Sequence, residues 1–187
     1  MDLDHFGLIA PLYNRTGPYT PSRILLDALA MPEGASLLDA GGGTGRVAAG
    51  LRERSARTVV ADVSMKMLRF VGEKRLPAVC GPAERLPFAD GSFDRVLMVD
   101  AFHHLEDQAV AARELFRVLA PAGRLVIVEP DIRRPVVVLI AIMEKLLLMR
   151  SHFLSGEKIL MFFPQEQARF SVSEERNSIL LVVRKAA

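Results

Sequence analysis

Short apolar runs alternate with amphipathic stretches over the first two thirds of this chain. Ser36–Ala40, Thr58–Ala61, Pro77–Cys80, Arg95–Val99 and Arg124–Val128 each read as a strand. Between them, Thr44–Arg54, the segment from Ser64 to Lys74 and Glu106–Leu119 carry helical periodicity, with Ser64 as an N-cap. Gly81–Gly91 is rich in Pro, Gly and charge and reads as loop, and Pro121-Ala122-Gly123 as a turn. Alternating strands and helices predict an α/β fold, a parallel sheet covered by helices.

The last third changes character. Pro135–Met149 reads as a helix that is apolar almost all round, and Ala168–Ser173 and Ile179–Arg184 read as strands. The polar Glu174-Glu175-Arg176-Asn177 between those strands suits a hairpin turn. The expected sheet is therefore five parallel strands closed by an antiparallel hairpin. No linker divides the chain.

Composition narrows the function class. The chain has 187 residues, half of them hydrophobic and a quarter charged, and a domain near this size buries about 70% of its unfolded surface without help from disulfides or metal. Cys80 is alone and has no internal partner, which fits a reducing cytoplasm. A net charge of +2, with scattered basic residues, gives no electrostatic basis for nucleic-acid capture. The start, Met1-Asp2-Leu3-Asp4-His5, lacks the basic-then-apolar pattern of a signal peptide. Glu144 and Lys145 interrupt the longest apolar stretch, which is shorter than the ~20 residues a spanning helix needs.

The most informative stretch is Leu37-Leu38-Asp39-Ala40-Gly41-Gly42-Gly43-Thr44-Gly45, which leaves a strand and opens a helix. A phosphate-binding loop needs Gly-Lys-Ser/Thr, but Gly45 is followed by Arg46 and Val47. A dinucleotide fingerprint starting from Gly41 and Gly43 would place its third glycine at Arg46. The pattern that fits is acidic-x-Gly-x-Gly-x-Gly, on Asp39, Gly41, Gly43 and Gly45. A carboxylate before the loop repels a pyrophosphate and suits a ligand bearing an ammonium and no phosphate, as S-adenosylmethionine does. Asp62 ends the second strand, 17 residues after Gly45. It is placed either to accept from ribose hydroxyls or to cap the next helix. After the third strand, Gly81-Pro82-Ala83-Glu84 reaches the place of an adenine in this topology; the Ala83 amide can donate to a ring nitrogen, whereas Pro82 has no amide to offer.

These residues resemble the class I S-adenosylmethionine-dependent methyltransferases of the broad type 11 group. The resemblance covers Leu37–Val128. It includes Ala83-Glu84-Arg85-Leu86-Pro87-Phe88, Asp90-Gly91-Ser92-Phe93-Asp94, Phe102-His103-His104-Leu105 and Leu119-Ala120-Pro121-Ala122-Gly123. A narrower likeness, carried by His5-Phe6-Gly7-Leu8-Ile9-Ala10-Pro11-Leu12-Tyr13-Asn14 and Gly42-Gly43-Thr44-Gly45, is to the quinone C-methyltransferases of menaquinone and ubiquinone biosynthesis. Gly7 and Asn14 stand where those proteins usually carry Asp, and Pro82 where they carry an acidic or amide residue.

The resemblance implies a Rossmann-like, doubly wound sheet of seven strands in the order 3-2-1-4-5-7-6, within a single domain. Residues 1–30 would form an N-terminal lid or helix and 36–129 the cofactor-binding core. Residues 132–165 would form an apolar helical insertion on the substrate side and 168–185 the hairpin. It implies S-adenosylmethionine as methyl donor, S-adenosylhomocysteine as product, and a cofactor site of Asp39, Gly41, Gly42, Gly43, Thr44, Gly45, Asp62, Val63, Pro82, Ala83, Glu84 and Asp100. Tyr13 would close over that site or anchor the N-terminal segment. The acceptor is expected to be a small hydrophobic or aromatic molecule, with methylation at carbon as in the quinone enzymes or at oxygen or nitrogen. A binding module without turnover is the reading from another class. No Asn-Pro-Pro-Tyr-like sequence follows the fourth strand, which argues against a nucleic-acid methyltransferase.

Ligands of open parallel sheets sit beyond the carboxyl ends of the strands. The end of the fourth strand reads Asp100-Ala101-Phe102-His103-His104. His103 and His104 either supply a base near neutral pH or pack and cap the next helix; Asp100 either serves as the base or orients the cofactor. The apolar helix from Pro135, with Met161-Phe162-Phe163 and the flanking Arg133, Arg134, Arg150 and Lys158, has three readings: burial against the sheet, a roof over a greasy pocket, or peripheral membrane contact through 135–163.

Overall fold

The computed structural model describes residues 10, 11, 14, 19–146 and 151–187. In these residues one seven-stranded sheet runs in the order β3-β2-β1-β4-β5-β7-β6, as the resemblance implies. Its strands are β1 (Ser36–Ala40), β2 (Arg57–Asp62), β3 (Ala78–Cys80), β4 (Phe93–Val99), β5 (Leu119–Pro130), β6 (Ala168–Glu175) and β7 (Ser178–Lys185). The pairs among β1 to β5 are parallel, while β7 runs antiparallel to both β5 and β6. The helices are α1 (Arg23–Leu29), α2 (Arg46–Leu51), α3 (Met65–Glu73), α4 (Gln108–Val118), α5 (Pro135–Leu146) and α6 (Gly156–Leu160).

Successive residues of the central strands feed opposite cores, because side chains alternate across a sheet. Leu37, Leu97, Val126, Leu180 and Val182 pack on one face with Leu25 and Leu29 of α1 and Val47 and Leu51 of α2. Leu38, Val96, Met98, Leu125, Ile127, Leu181 and Val183 pack on the other with Ala111, Ala112 and Leu115 of α4. Burial on both faces is why these strands read as continuous apolar runs. Charged residues interrupt these runs at a few positions. Arg95 on β4 is buried, and its guanidinium donates to the carbonyls of Leu29 and Ala30 at the end of α1 and to that of Asp94. It supplies partners for helix-end carbonyls that have none inside the helix.

Two segments differ from expectation. β5 begins at Leu119, opposite Phe93, but the next register pair is Arg95 with Arg124. Residues 120–123 therefore loop out of the ladder inside one strand, with Ala122 at φ 58°; the expected turn is a bulged excursion. Among residues 135–143 of α5 only Val137 is buried, at 1% exposure, whereas Val136, Val138, Leu139, Ile140, Ile142 and Met143 are 41 to 60% exposed. The expectation that this helix buries itself against the sheet is not met over these residues. The sheet's faces are already occupied by the other helices and the 151–163 segment, leaving α5 attached along one line. No described helix is long and apolar enough to cross a membrane.

Candidate active site

The strand order reverses between β1 and β4, so their carboxyl ends flank a crevice where ligands of open α/β sheets bind. The loop from β1 enters it first. Gly41, Gly43 and Gly45 have φ of 67°, 55° and 71°, the left-handed region that favours glycine, and their spacing is the alternation read in the sequence. Gly42 is required for another reason: a Cβ there would lie 2.7 Å from Cγ and Oδ2 of Asp39. The loop thus rests directly on the carboxylate that precedes it.

Asp39 is 1% exposed. Its Oδ2 accepts from the Ala48 amide at 3.2 Å, and its Oδ1 has no hydrogen-bond partner among the described residues. Burial pushes the carboxyl up to about 7, with the Ala48 amide opposing and the Asp62 charge adding to the rise. Asp62 accepts from the Gly43 amide through Oδ2 and from the Ser64 amide through Oδ1, both at 2.8 Å. It ties the loop to the start of α3, where Ser64 accepts from the Met67 amide as the expected cap. Thr44 is buried within the loop, while Val63 beside Asp62 is exposed.

Ala83 is buried and Pro82 exposed on the loop after β3. The Glu84 Oε1 is engaged elsewhere, accepting from the Glu106 and Asp107 amides ahead of α4. Arg117 fixes the rest of this loop by donating to the carbonyls of Leu86 and Phe88 and to Asp90.

Beyond β4, Asp100 is exposed at φ 51°, and its amide donates to Val128. Desolvation raises its carboxyl, Glu129 adds to the rise, and His103 and Arg46 oppose it. A Cβ on Gly41 would meet that of Ala101 at 2.7 Å, so this ledge abuts the glycine loop. His103 is 4% exposed, with Nδ1 2.6 Å from Oε2 of Glu129. Oε1 of Glu129 accepts from the Ala101 and Phe102 amides at 3.1 and 2.8 Å. Phe153 stacks on the His103 ring at 4.3 Å and His104 lies against it at 3.9 Å. Burial and the neighbouring His103 push His104 down to about 3, which keeps it neutral at physiological pH. Its Nδ1 lies 3.2 Å from the Ser151 hydroxyl.

The structure thus joins Asp39, the glycine loop and Asp62 in one hydrogen-bonded unit, with Asp100, His103 and His104 on the adjoining ledge. It directs Glu84 to α4. Tyr13 lies outside the described residues. Glu129 was missed in the sequence, although it ends β5 on the same side of the sheet as Asp100. Arg46 and Tyr19 were missed too; the guanidinium stands 5.4 Å over the ring, and burial raises the Tyr19 hydroxyl while Arg46 opposes. The crevice fits the expected methyl donor. A glycine loop that has no room for a Cβ at Gly41 or Gly42 lies over a buried carboxylate whose Oδ1 has no hydrogen-bond partner among the described residues, and the aspartates in this region would repel a phosphate.

Comparison with known proteins agrees. Residues 38–127 match the model of a methyltransferase domain. A demethylmenaquinone methyltransferase of Mycolicibacterium paratuberculosis is 40% identical over 102 residues, covering 54% of this chain and 44% of the relative. The chain spans about half the length of the curated relatives it matches. A Haloferax volcanii methyltransferase solved in complex with a methyltransferase activator superposes with a TM-score of 0.80 over all of both chains at 18% identity. The cyclase SpnF superposes with a TM-score of 0.76 over 97% of this chain and 94% of its own at 16% identity. The architecture alone therefore does not fix the reaction.

Proposed function

We propose that the protein transfers a methyl group from S-adenosylmethionine to a small hydrophobic or aromatic acceptor, a reading supported by the match of residues 38–127 to a methyltransferase domain model. The observation that carries this reading is the glycine loop seated on buried Asp39 and locked by Asp62, beside an acidic ledge. When bound, S-adenosylmethionine supplies an electrophilic methyl on a sulfonium. The chain's part is to bind, align and exclude water, and alignment contributes about 7–11 kcal/mol in such displacements. In this reading the backbone of 41–45 lies against the aminoacyl end, which the glycines let approach closely. Asp62 stands beside the ribose, with Val63 next to it. The Ala83 amide meets the adenine, and Asp100 faces the ammonium. The relatives' name, demethylmenaquinone methyltransferase, supports a quinol-like ring methylated at carbon. The exposed apolar side of α5, with Met161, supports a lipophilic acceptor delivered at a membrane surface.

Calorimetry with S-adenosylmethionine, followed by a homocysteine-release assay across reduced naphthoquinols, simple phenols and amines, tests the reading. Binding of the nucleoside with turnover of a hydrophobic acceptor is the expected result. Binding of a nicotinamide dinucleotide in its place, or turnover of polar acceptors only, overturns it.

A further inference from the structure

We propose that Glu129 and His103 form a general-base dyad. Glu129 fixes the tautomer of His103, and the His103 Nε2 lone pair takes the proton of an acidic hydroxyl on the methyl acceptor. This rests on the methyltransferase reading and deepens it, because it defines the acceptor as a molecule whose nucleophile arrives protonated: a phenol, an enol or a hydroquinone.

The hydrogen-bond arrangement carries the argument. A carboxylate only accepts. Oε1 of Glu129 already accepts two backbone N–H groups, which hold the carboxylate in place, and Oε2 faces Nδ1 at 2.6 Å. Nδ1 must therefore carry the hydrogen, and a neutral His103 keeps its lone pair on Nε2. The same logic orients catalytic and metal-bound histidines elsewhere. Phe153, inclined by 16°, and His104, inclined by 49°, pack against the ring. His103 is 4% exposed, and with Nδ1 engaged by Glu129 the dyad has only the Nε2 edge to offer an acceptor. His103 stands two residues beyond Ala101, whose Cβ abuts Gly41 of the glycine loop.

Among the described residues, the ionisable groups around His103 include Glu129 from β5, Asp100 from the end of β4, the adjacent His104, and His152, whose amide donates to the His103 carbonyl, with Arg46 of α2 acting on Asp100. The carboxylates stabilise an imidazolium once it forms. His104 stays neutral and adds no competing charge. The Phe153 and His104 rings exclude water from the pair, so its electrostatics are stronger than they would be in solvent.

The step balances without an oxidant or reductant. The acceptor hydroxyl gives its proton to Nε2. The electron pair left on oxygen, shared with the ring, forms the new bond to the methyl carbon, and the carbon–sulfur bond breaks with its pair to sulfur. For attack from oxygen, the imidazolium passes its proton to water. For attack from a ring carbon, that carbon loses its hydrogen as a proton and the imidazolium returns one to oxygen. Either way one proton per methyl group reaches solvent.

The test uses the full chain with S-adenosylmethionine and a short-chain 2-prenyl-1,4-naphthohydroquinone kept reduced. Glu129→Gln preserves the two backbone bonds through its amide oxygen but cannot accept from Nδ1. It and His103→Asn should each lower kcat by about 10²- to 10⁴-fold at pH 7. Both should keep S-adenosylmethionine affinity within about threefold, and the double variant should be no worse than either alone. The deficit should shrink as the pH rises toward about 10, where a phenolic acceptor ionises unaided; a merely structural role would not produce that recovery. Nitrogen-15 spectra of the histidine rings should show the His103 proton on Nδ1 in the wild type and on Nε2 in Glu129→Gln.

Either single variant retaining more than about a third of wild-type kcat, a deficit equal at every pH, or a wild-type His103 protonated at Nε2 overturns the dyad. So does a wild type that binds S-adenosylmethionine yet methylates only amines, although the methyltransferase reading then survives. Failure to bind S-adenosylmethionine overturns both.

Discussion

Asp39 precedes the glycines in sequence and lies beneath them in space. Its carboxyl is buried, with one oxygen unpartnered among the described residues, and is pushed up to about 7. The unfolded chain gives up this proton near the ordinary value of 3.8 while the folded chain holds it, so the native state binds more protons between the two. Stability conferred at this position is therefore lost as pH rises from about 4 to about 7 and is flat above that. Asp39→Asn should remove this part of the slope in urea unfolding at pH 4.5 and 7.5; an unchanged slope would mean that the carboxyl titrates normally. A cation settling over the loop favours the ionised form, so the same variant should also abolish proton release when S-adenosylmethionine binds near pH 6.5, as read by calorimetry in buffers of different ionisation enthalpy. The glycines and Asp39 were legible because their chemistry is local to one turn. The partnership of Glu129 with His103 was not, because 26 residues separate them and only the register of β4 on β5 brings them together.

Among the elements, α5 shows where pattern reading stops. An amphipathic helix announces its inward face, but one that is apolar all round carries no such information. At 100° per residue, positions 136, 138, 139, 140, 142 and 143 span roughly 200° of the helix, and they are the exposed ones. At the head of the helix, Arg133 and Arg134 pair with Asp131 and Glu174, so its charges are locally balanced. Attachment to a bilayer surface would rest on apolar area more than on charge. Sedimentation with phosphatidylcholine vesicles should carry the wild type down, and Leu139→Lys with Ile142→Glu should lose most of that binding. Thermal stability should shift by no more than about 0.5 kcal/mol per substitution, as for other exposed sites. Wild type that stays in the supernatant would leave the roof over an acceptor as the role of this face. β5 shows a similar limit of pattern reading: Pro121-Ala122-Gly123 signalled a turn, but nothing local showed that the strand starts before it, at Leu119, and resumes with a shifted register.

At the scale of the molecule, the alternation of strands and helices made the parallel sheet and its closing hairpin legible, while the strand order came from the family resemblance and agrees with right-handed crossovers. That topology places the crevice on β1 and β4, which lie within the sheet and carry residues of both main cores. A ligand there is coupled to the whole fold, so binding should appear as global stabilisation. At a hundredfold excess over Kd it contributes about 2.7 kcal/mol. A domain of this size gains about 2–4 °C per kcal/mol, so S-adenosylmethionine should raise Tm by about 5–10 °C. Gly42→Ala separates the site from the scaffold. Its Cβ would press on the carboxyl of Asp39 at 2.7 Å, lifting the loop from its seat while leaving both cores in place. The variant should unfold cooperatively, a few degrees lower, and respond to the same ligand by less than about 2 °C. An undiminished shift in Gly42→Ala, or an equal shift with a nicotinamide dinucleotide, would place the bound nucleoside somewhere other than on this loop.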